Sequence, residues 1–459
     1  MTRIAILGGG ITGLAAALAA LDSGAASGID PEVHLWEASD RIGGKIATSP
    51  FAGLPAVDEG PDAFLVRMPA AVELAQRTGL GDALTSPTGA RAAVWHDGLH
   101  SLPSDIVLGV PAGVGSFARS GLLSWRGKAR AGLEPLLPPT DHGDSIGRLV
   151  RARFGDEVHD RLVDALVGSI YATDTDRASL AAVPQLRALA DRHRSLLLGG
   201  RSARAAAPPA SGPIFAAPLA GVGALVEATA QHAADRGVKI HTGRPATLVE
   251  PAGTGGWLID GEHADAVVFA TPAPVTAALL DGIVDDTSAL RAIDAADIIM
   301  VRIAVRSSAA AQRVIRGRSG YLVPKSRQRL VTAVSFASQK WAHLRPDDGV
   351  EVMRVSLGRD GLPTAGIGER EAVDAVRAEV RDHLDLGPSD LAIEAAAVTR
   401  WTAAFPQYRP GHLQRVARIE DELPPAVAVA GASYHGIGIP ACIASARRAA
   451  ERVIAGSVS

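Results

Sequence analysis

Apolar runs and polar breaks divide the chain into elements. Arg3-Ile4-Ala5-Ile6-Leu7 has the length of a buried strand and stops at Gly8-Gly9-Gly10-Ile11-Thr12-Gly13. Residues 14–21 are almost all Ala and Leu, which favours helix. Residues 22–31 predict a loop, and Val33-His34-Leu35-Trp36 a second strand ending at Glu37. Ala90-Arg91-Ala92-Ala93-Val94-Trp95 predicts a strand that turns at His96-Asp97-Gly98 and returns as Leu99-His100-Ser101-Leu102-Pro103, a hairpin. From 104 to about 205 the β alternation is lost. Residues 145–154 space their apolar side chains at helical intervals with cations between, and 158–170 continue the pattern, so a helical insertion is predicted. Residues 199–213, rich in Gly, Ala, Pro and Ser, predict a flexible linker.

Short strands are predicted at 238–241, 246–249, 257–259 and 266–272, after a helix opening at Gly221-Val222-Gly223. Strand signals at 298–305, 320–323, 330–336 and 350–357 predict an antiparallel sheet that floors a cavity. A buried strand at 427–431, a glycine-rich turn and a helix over 441–453, with Pro440 at its first position, close the chain. The element order predicts an α/β protein. A Rossmann-type nucleotide-binding domain is drawn from 1–65, 212–288 and 395–459. A mixed-sheet substrate domain takes 66–103 and 289–394, and the helical insertion with its linker takes 104–211.

Composition narrows the function classes. A chain of 459 residues has ample length for a large core in two or three domains. The net charge of −3, with no basic tail, gives no electrostatic footprint for nucleic acid. Cys442 is the only cysteine, which excludes intramolecular disulfides and thiolate clusters and fits a reducing compartment. No metal-ligand spacing is present, so no metal is expected. The apolar start breaks at Gly8, so it does not read as a secretion signal, and no apolar run is long enough to span a membrane. Residues 106–123, the nearest candidate, contain Pro111 and Arg119 and are expected at most to touch a lipid surface. A cytoplasmic protein, at most peripheral to the membrane, is expected.

The glycines carry the first chemistry. A strand, a G-x-G-x-x-G turn and a helix form the setting in which this motif binds a dinucleotide. Gly8 allows the tight turn, Gly10 lets a pyrophosphate approach the backbone, and Gly13 lets the helix pack close to the strand. Ile11 and Thr12 then offer helix N-terminal N–H groups, and Glu37 suits a ribose hydroxyl. Asp40-Arg41-Ile42-Gly43-Gly44-Lys45 adds two glycines and two cations just past the second strand. The N-terminus of the closing helix offers a second positive dipole end that would stabilise negative charge on a ligand.

The runs Gly8–Leu14 and Trp36–Lys45 resemble the flavin-binding start of the amine oxidase superfamily. The Gly-Pro segment at Gly60-Pro61, the Leu-His-x-Leu-Pro hairpin and the Arg-Trp…Pro-Gln-Tyr…Gly-His run over 400–412 resemble its porphyrinogen oxidases. Val323-Pro324-Lys325 and Lys340-Trp341-Ala342-His343 are similar to the bacterial coproporphyrin-dependent branch. The resemblance implies non-covalently bound FAD, held by the glycines and Glu37 together with Ala38, Arg41, Gly43, Gly44, Lys45, Gly60, Pro61, Ala246, Trp401, Gly431, Gly438 and Ile439. For the substrate it implies Arg91 pairing with a propionate and Leu322 and Trp341 lying against the tetrapyrrole. The implied reaction is a six-electron oxidation of coproporphyrinogen III in haem biosynthesis, with a hydride passing to the flavin in each of three rounds and oxygen reduced to hydrogen peroxide. Protoporphyrinogen IX is the alternative substrate. The next enzyme of the haem pathway and a membrane surface are the implied partners. No residue presents itself as a general base.

Two rivals come from other classes. An amine oxidase would need an aromatic cage, which four tyrosines and eight phenylalanines support poorly. A carotenoid desaturase shares the flavin start. A flavin-free protein of this fold that binds lipidated partners would not need the intact glycines or Glu37.

Overall fold

Both faces of the first strand are covered, which is why its residues are apolar without alternation. The computed structural model describes residues 2–113, 115–139, 141, 143–206, 212–253, 255–346 and 349–458. In it strand β1 spans Arg3–Leu7, helix α1 Ile11–Ala26 and strand β2 Glu32–Trp36. Ile4 and Ile6 pack in one core with α1 and the closing helix Ile439–Val458, while Ala5 and Leu7 pack in another on the opposite face. The strands Lys239–His241, Ala266–Phe269 and Val427–Val429 complete a five-stranded parallel sheet. Lys239–His241 lies beyond β2, and the other two lie on the far side of β1. The chain therefore reverses its direction of winding at the edge of β1, and in open parallel sheets a ligand crevice forms there, at the carboxyl ends of the strands.

A seven-stranded sheet forms the second body. Its order is Leu391–Pro406, Ala295–Ser307, Val350–Leu357, Val331–Phe336, Arg318–Leu322, Arg91–Trp95 and Leu99–Ser101. All neighbours are antiparallel except Arg318–Leu322 and Arg91–Trp95, which run parallel. The four strands expected to form an antiparallel sheet do so, and the predicted hairpin, added in parallel at the edge, makes the whole sheet mixed, as expected of the substrate domain. Successive side chains on a strand point to opposite faces. Ile299, Val301, Met353 and Val355 pack with helix Glu369–Leu384, whereas Ile298, Met300, Arg354 and Ser356 line a cavity on the other face. The domain boundary expected at 394/395 falls inside the Leu391–Pro406 strand, so this strand belongs with the second sheet.

Several local expectations change. α1 continues through Ala26, closed by a 2.8 Å bond from Ile29 N to Gly24 O, which leaves only 27–31 of the predicted loop. Ala246 lies in a loop, and the strand after it is Val249–Pro251. Pro440 stands at the second position of the closing helix. The first part of the predicted linker is the helix Leu196–Ala206, and 207–211 lie outside the described residues. The small residues there serve close packing: a Cβ on Gly200 would come within 2.9 Å of the Ala112 Cβ.

Helices dominate the insertion, among them Trp125–Gly132, Ile146–Phe154 and Pro184–Arg192. The segment expected to face lipid is turned inward, because Val110, Phe117, Leu122 and Leu123 belong to the buried core of this insertion. Among its described residues the exposed large apolar side chains are instead Trp125, Leu133, Leu136, Ile170 and Leu198. Among the described residues no helix is long and apolar enough to cross a membrane, and no group of three or more His, Cys, Asp and Glu could hold a metal ion.

Candidate active site

One continuous cavity of about 1100 Å³ runs from the carboxyl ends of β1 and β2 to the face of the seven-stranded sheet. Of the residues assigned to the cofactor, all except Gly13 line it. Gly8 has φ +111°, a backbone conformation that favours glycine. Gly13 acts from behind: a Cβ there would lie 1.8 Å from Gly8 O, so only glycine lets α1 start so close to the turn. Beside Gly10 the first atom a Cβ would meet is Gly44 Cα at 4.0 Å, so the backbone stands open to the cavity. This is the cradle that a dinucleotide pyrophosphate fits, at the N-terminus of α1.

Glu37 is partly engaged within the protein. Its Oε2 accepts from Gly9 N at 2.7 Å, and its Oε1 accepts from Ser39 N at 2.8 Å and Ser39 Oγ at 2.7 Å. A carboxylate has about four acceptor sites, so one is left for a ribose hydroxyl. Arg41 donates to the carbonyls of Ile42, Gly44 and Ile46 and thereby shapes the second glycine turn. Lys45 donates to the carbonyls of Ala403 and Ala404. Burial pushes its pKa down to about 8, against the pull of Asp297.

The Gly60-Pro61 wall is held by a partly buried ionic layer that the sequence did not reveal. Asp62 accepts from Lys340 Nζ at 2.8 Å and Trp341 Nε1 at 3.3 Å, and pairs with Arg354 Nη1 at 2.9 Å. Burial alone would raise the Asp62 pKa, but the two cations outweigh it and hold the carboxyl well below its usual range. Arg354 also donates to the carbonyls of Asp58 and Gly60. Trp401 Nε1 donates to Glu59 O at 2.8 Å, which fixes the indole on the same wall.

The closing turn has its own support. Tyr408 Oη donates to Ala432 O at 2.7 Å and accepts from Gly436 N at 2.6 Å, so it spans the turn. Its ring stacks on His412 at 3.7 Å, and His412 Nε2 donates to Tyr434 O at 3.0 Å. Burial pushes the His412 pKa down to about 4, which keeps the imidazole neutral. Both residues belong to the 400–412 run singled out in the sequence, but the run itself gave no sign of this bracing. Cys442 N makes the first hydrogen bond of the closing helix, to Gly438 O at 2.9 Å. The N–H groups of Ile439 and Ala441 remain outside the helix ladder at a wall of the cavity. Cys442 lies at the same wall with its thiol pKa pushed up to about 11 by burial, which suits a packing role.

The three residues assigned to the substrate are not brought to the cavity. Arg91 is exposed on its strand and absent from the lining. Leu322 packs against the core of the insertion, and Trp341, 1 % exposed, is buried behind the wall as a donor to Asp62. The cavity takes Arg67, Met68, Ser169, Ile170, Tyr171, Gln185 and Phe215 in their place. Of these, only Ser169 and Ile170 fall in a stretch the sequence analysis described, the end of the helical pattern over 158–170.

A family profile described as flavin containing amine oxidoreductase matches residues 11–454. The coproporphyrinogen III oxidase of Mycobacterium tuberculosis is 35% identical over 464 residues, covering 98% of this chain and 96% of the relative. That of Bacillus subtilis is 30% identical, covering 96% and 95%. A crystal structure from Exiguobacterium sp., provisionally assigned as a protoporphyrinogen oxidase, superposes with a TM-score of 0.86 at 27% identity over 99% of each chain. Cyclohexylamine oxidase from Brevibacterium oxydans shares the fold alone, with a TM-score of 0.68 at 17% identity over 99% of each chain.

Proposed function

Because the chain belongs to the family of flavin containing amine oxidoreductases, we propose that it is an FAD-dependent coproporphyrinogen III oxidase that uses oxygen as acceptor. The observation that carries this reading is the single cavity that joins a dinucleotide cradle to a chamber walled by apolar side chains such as Ile298, Met300, Ile293 and Phe405. Bound non-covalently in the cradle, the flavin would supply the redox chemistry by accepting a hydride from the macrocycle. The chain's own residues position and polarise. Glu37 would hold the ribose, Gly10 and Gly44 would admit the pyrophosphate, and the N-terminus of the closing helix would favour negative charge on the flavin ring. The carboxylates and the imidazole at the cavity are already occupied: Glu37 and Asp62 as described, and His435 with its Nε2 2.8 Å from Glu420. No general base is therefore assigned, and pyrrole protons would leave to water.

The test is direct. Purified protein should be yellow, and acid precipitation should release FAD into solution. With coproporphyrinogen III and protoporphyrinogen IX assayed side by side, the former should give the faster appearance of porphyrin fluorescence, with hydrogen peroxide formed. Turnover of neither porphyrinogen would overturn the reading, and a clear preference for protoporphyrinogen IX would overturn the substrate.

A further inference from the structure

The cavity is lined by four cations of Arg or Lys type: Arg41, Lys45, Arg67 and Arg354. Three of them spend their N–H groups on protein acceptors. Arg41 and Lys45 donate to backbone carbonyls, and Arg354 is held by Asp62 and two carbonyls. Arg67 alone among the described residues of the lining is a cation with neither a hydrogen bond nor an ion pair. It lies in the segment between the Phe64–Leu65 strand and helix Ala70–Arg77, and it is exposed.

Its surroundings are not an ordinary solvated surface. Met68, Ile170 and Phe215 line the same cavity and are themselves exposed, so they form an apolar rim. Ser169 also lines the cavity, and its Oγ is buried with no hydrogen-bond partner. Tyr171 is half-buried and lies close enough to feel the Arg67 charge, and its hydroxyl and the Gln185 amide have no partner among the described residues. Two neutral hydrogen-bonding groups, the Tyr171 hydroxyl and the Gln185 amide, and one guanidinium therefore belong to residues that line the cavity with no partner from the protein. A guanidinium with no partner from the protein, at an apolar rim beside neutral hydrogen-bonding side chains, matches a carboxylate that arrives with the ligand.

We propose that Arg67, rather than Arg91, receives a carboxylate of the substrate at the rim, with Tyr171 and Gln185 completing the site. The assignment rests on the porphyrinogen reading above. It adds that one propionate is anchored while the others project into water, because the cavity holds no second free cation to neutralise them.

The experiment compares coproporphyrinogen III with its tetramethyl ester in wild-type, Arg67→Ala, Arg67→Lys and Arg91→Ala proteins, each first shown to hold its full complement of flavin. For the free acid, Arg67→Ala should raise KM by about tenfold or more with kcat within about twofold, since the contact is remote from the reacting carbon. Arg67→Lys should recover part of the loss. For the ester, which has no carboxylate, Arg67→Ala should match wild type. An unchanged KM for the acid overturns the proposal. So does an equal rise for acid and ester, which would mean that Arg67 acts by packing, and so does a rise confined to Arg91→Ala. Titration with coproporphyrin III, which needs no turnover, separates this inference from the functional reading. Wild-type protein that binds coproporphyrin through Arg67 but oxidises no porphyrinogen would sink the reaction and leave the carboxylate site standing.

Discussion

Lys45 shows how burial sets the chemistry of one residue. In the free protein its ammonium is desolvated and has only backbone carbonyls of Ala403 and Ala404 as acceptors, so its pKa falls to about 8. The sign of the consequence follows from linkage. Between about 8 and the ordinary lysine value near 10.4, the unfolded chain holds the proton that the folded apoprotein gives up, so apoprotein stability should rise with pH across that window. FAD carries a negatively charged pyrophosphate and favours the protonated lysine. Its affinity should therefore fall as pH rises through about 8. Lys45→Met should bind FAD more weakly at pH 7, by about 1.5–3 kcal/mol, and with a flat pH profile. Flavin fluorescence titration across pH 6–10 reads both. A wild-type profile as flat as that of the methionine variant would remove Lys45 from the cofactor site.

At the scale of the element, the π-helical stretch His159–Gly168 is held by a buried pair. Arg359 and Asp164 are 3% and 2% exposed. The two guanidinium nitrogens lie 3.0 and 2.8 Å from the carboxylate oxygens, which also accept from Thr175 Oγ1 at 2.7 Å and Lys325 N at 3.1 Å. Burial would raise the Asp164 pKa, and the Arg359 hydrogen bonds overcome it and lower it. Runs of this helix type are rare and occur mostly at functional sites, and this one leads directly into Gly168-Ser169-Ile170-Tyr171 at the cavity. Asp164→Asn leaves the guanidinium buried and uncompensated. It should cost about 3–5 kcal/mol, read as a lowered urea midpoint. KM for the porphyrinogen should rise while FAD affinity holds, because the cradle is built from other elements. A urea midpoint equal to that of wild type would show that the pair is not what fixes this stretch.

Over the whole molecule, the cavity is walled by the parallel sheet, the seven-stranded sheet and the insertion together. A ligand that touches all three binds only the assembled fold, so it stabilises by mass action. At one hundred times its Kd the gain is about 2.7 kcal/mol. Removal of the flavin should lower Tm by several degrees, and added FAD should restore it with a dependence on concentration. A Tm indifferent to flavin would mean that the cradle is already rigid without it and that binding is weak.

Local chemistry decided what was legible in the sequence. Strand length, helix composition and the need for glycine at Gly8 and Gly13 depend on neighbours a few residues away, so the first sheet, the cradle and the closing turn could be read directly. The 400–412 run could be recognised but not explained, because the bracing of Gly436 by Tyr408 joins residues that only the fold brings together. The substrate end was not legible for the same reason. Arg91 and Leu322 lie on strands whose partners set which way each side chain points, and a period of two sends adjacent residues to opposite faces. Trp341 is drawn behind the wall by the partly buried Asp62 carboxylate, a requirement invisible without the fold. Arg67 carries no motif at all. It stands out only because the tertiary structure satisfies every other cation of the cavity and leaves this one, beside two unpaired hydrogen-bonding groups, free to meet an anion.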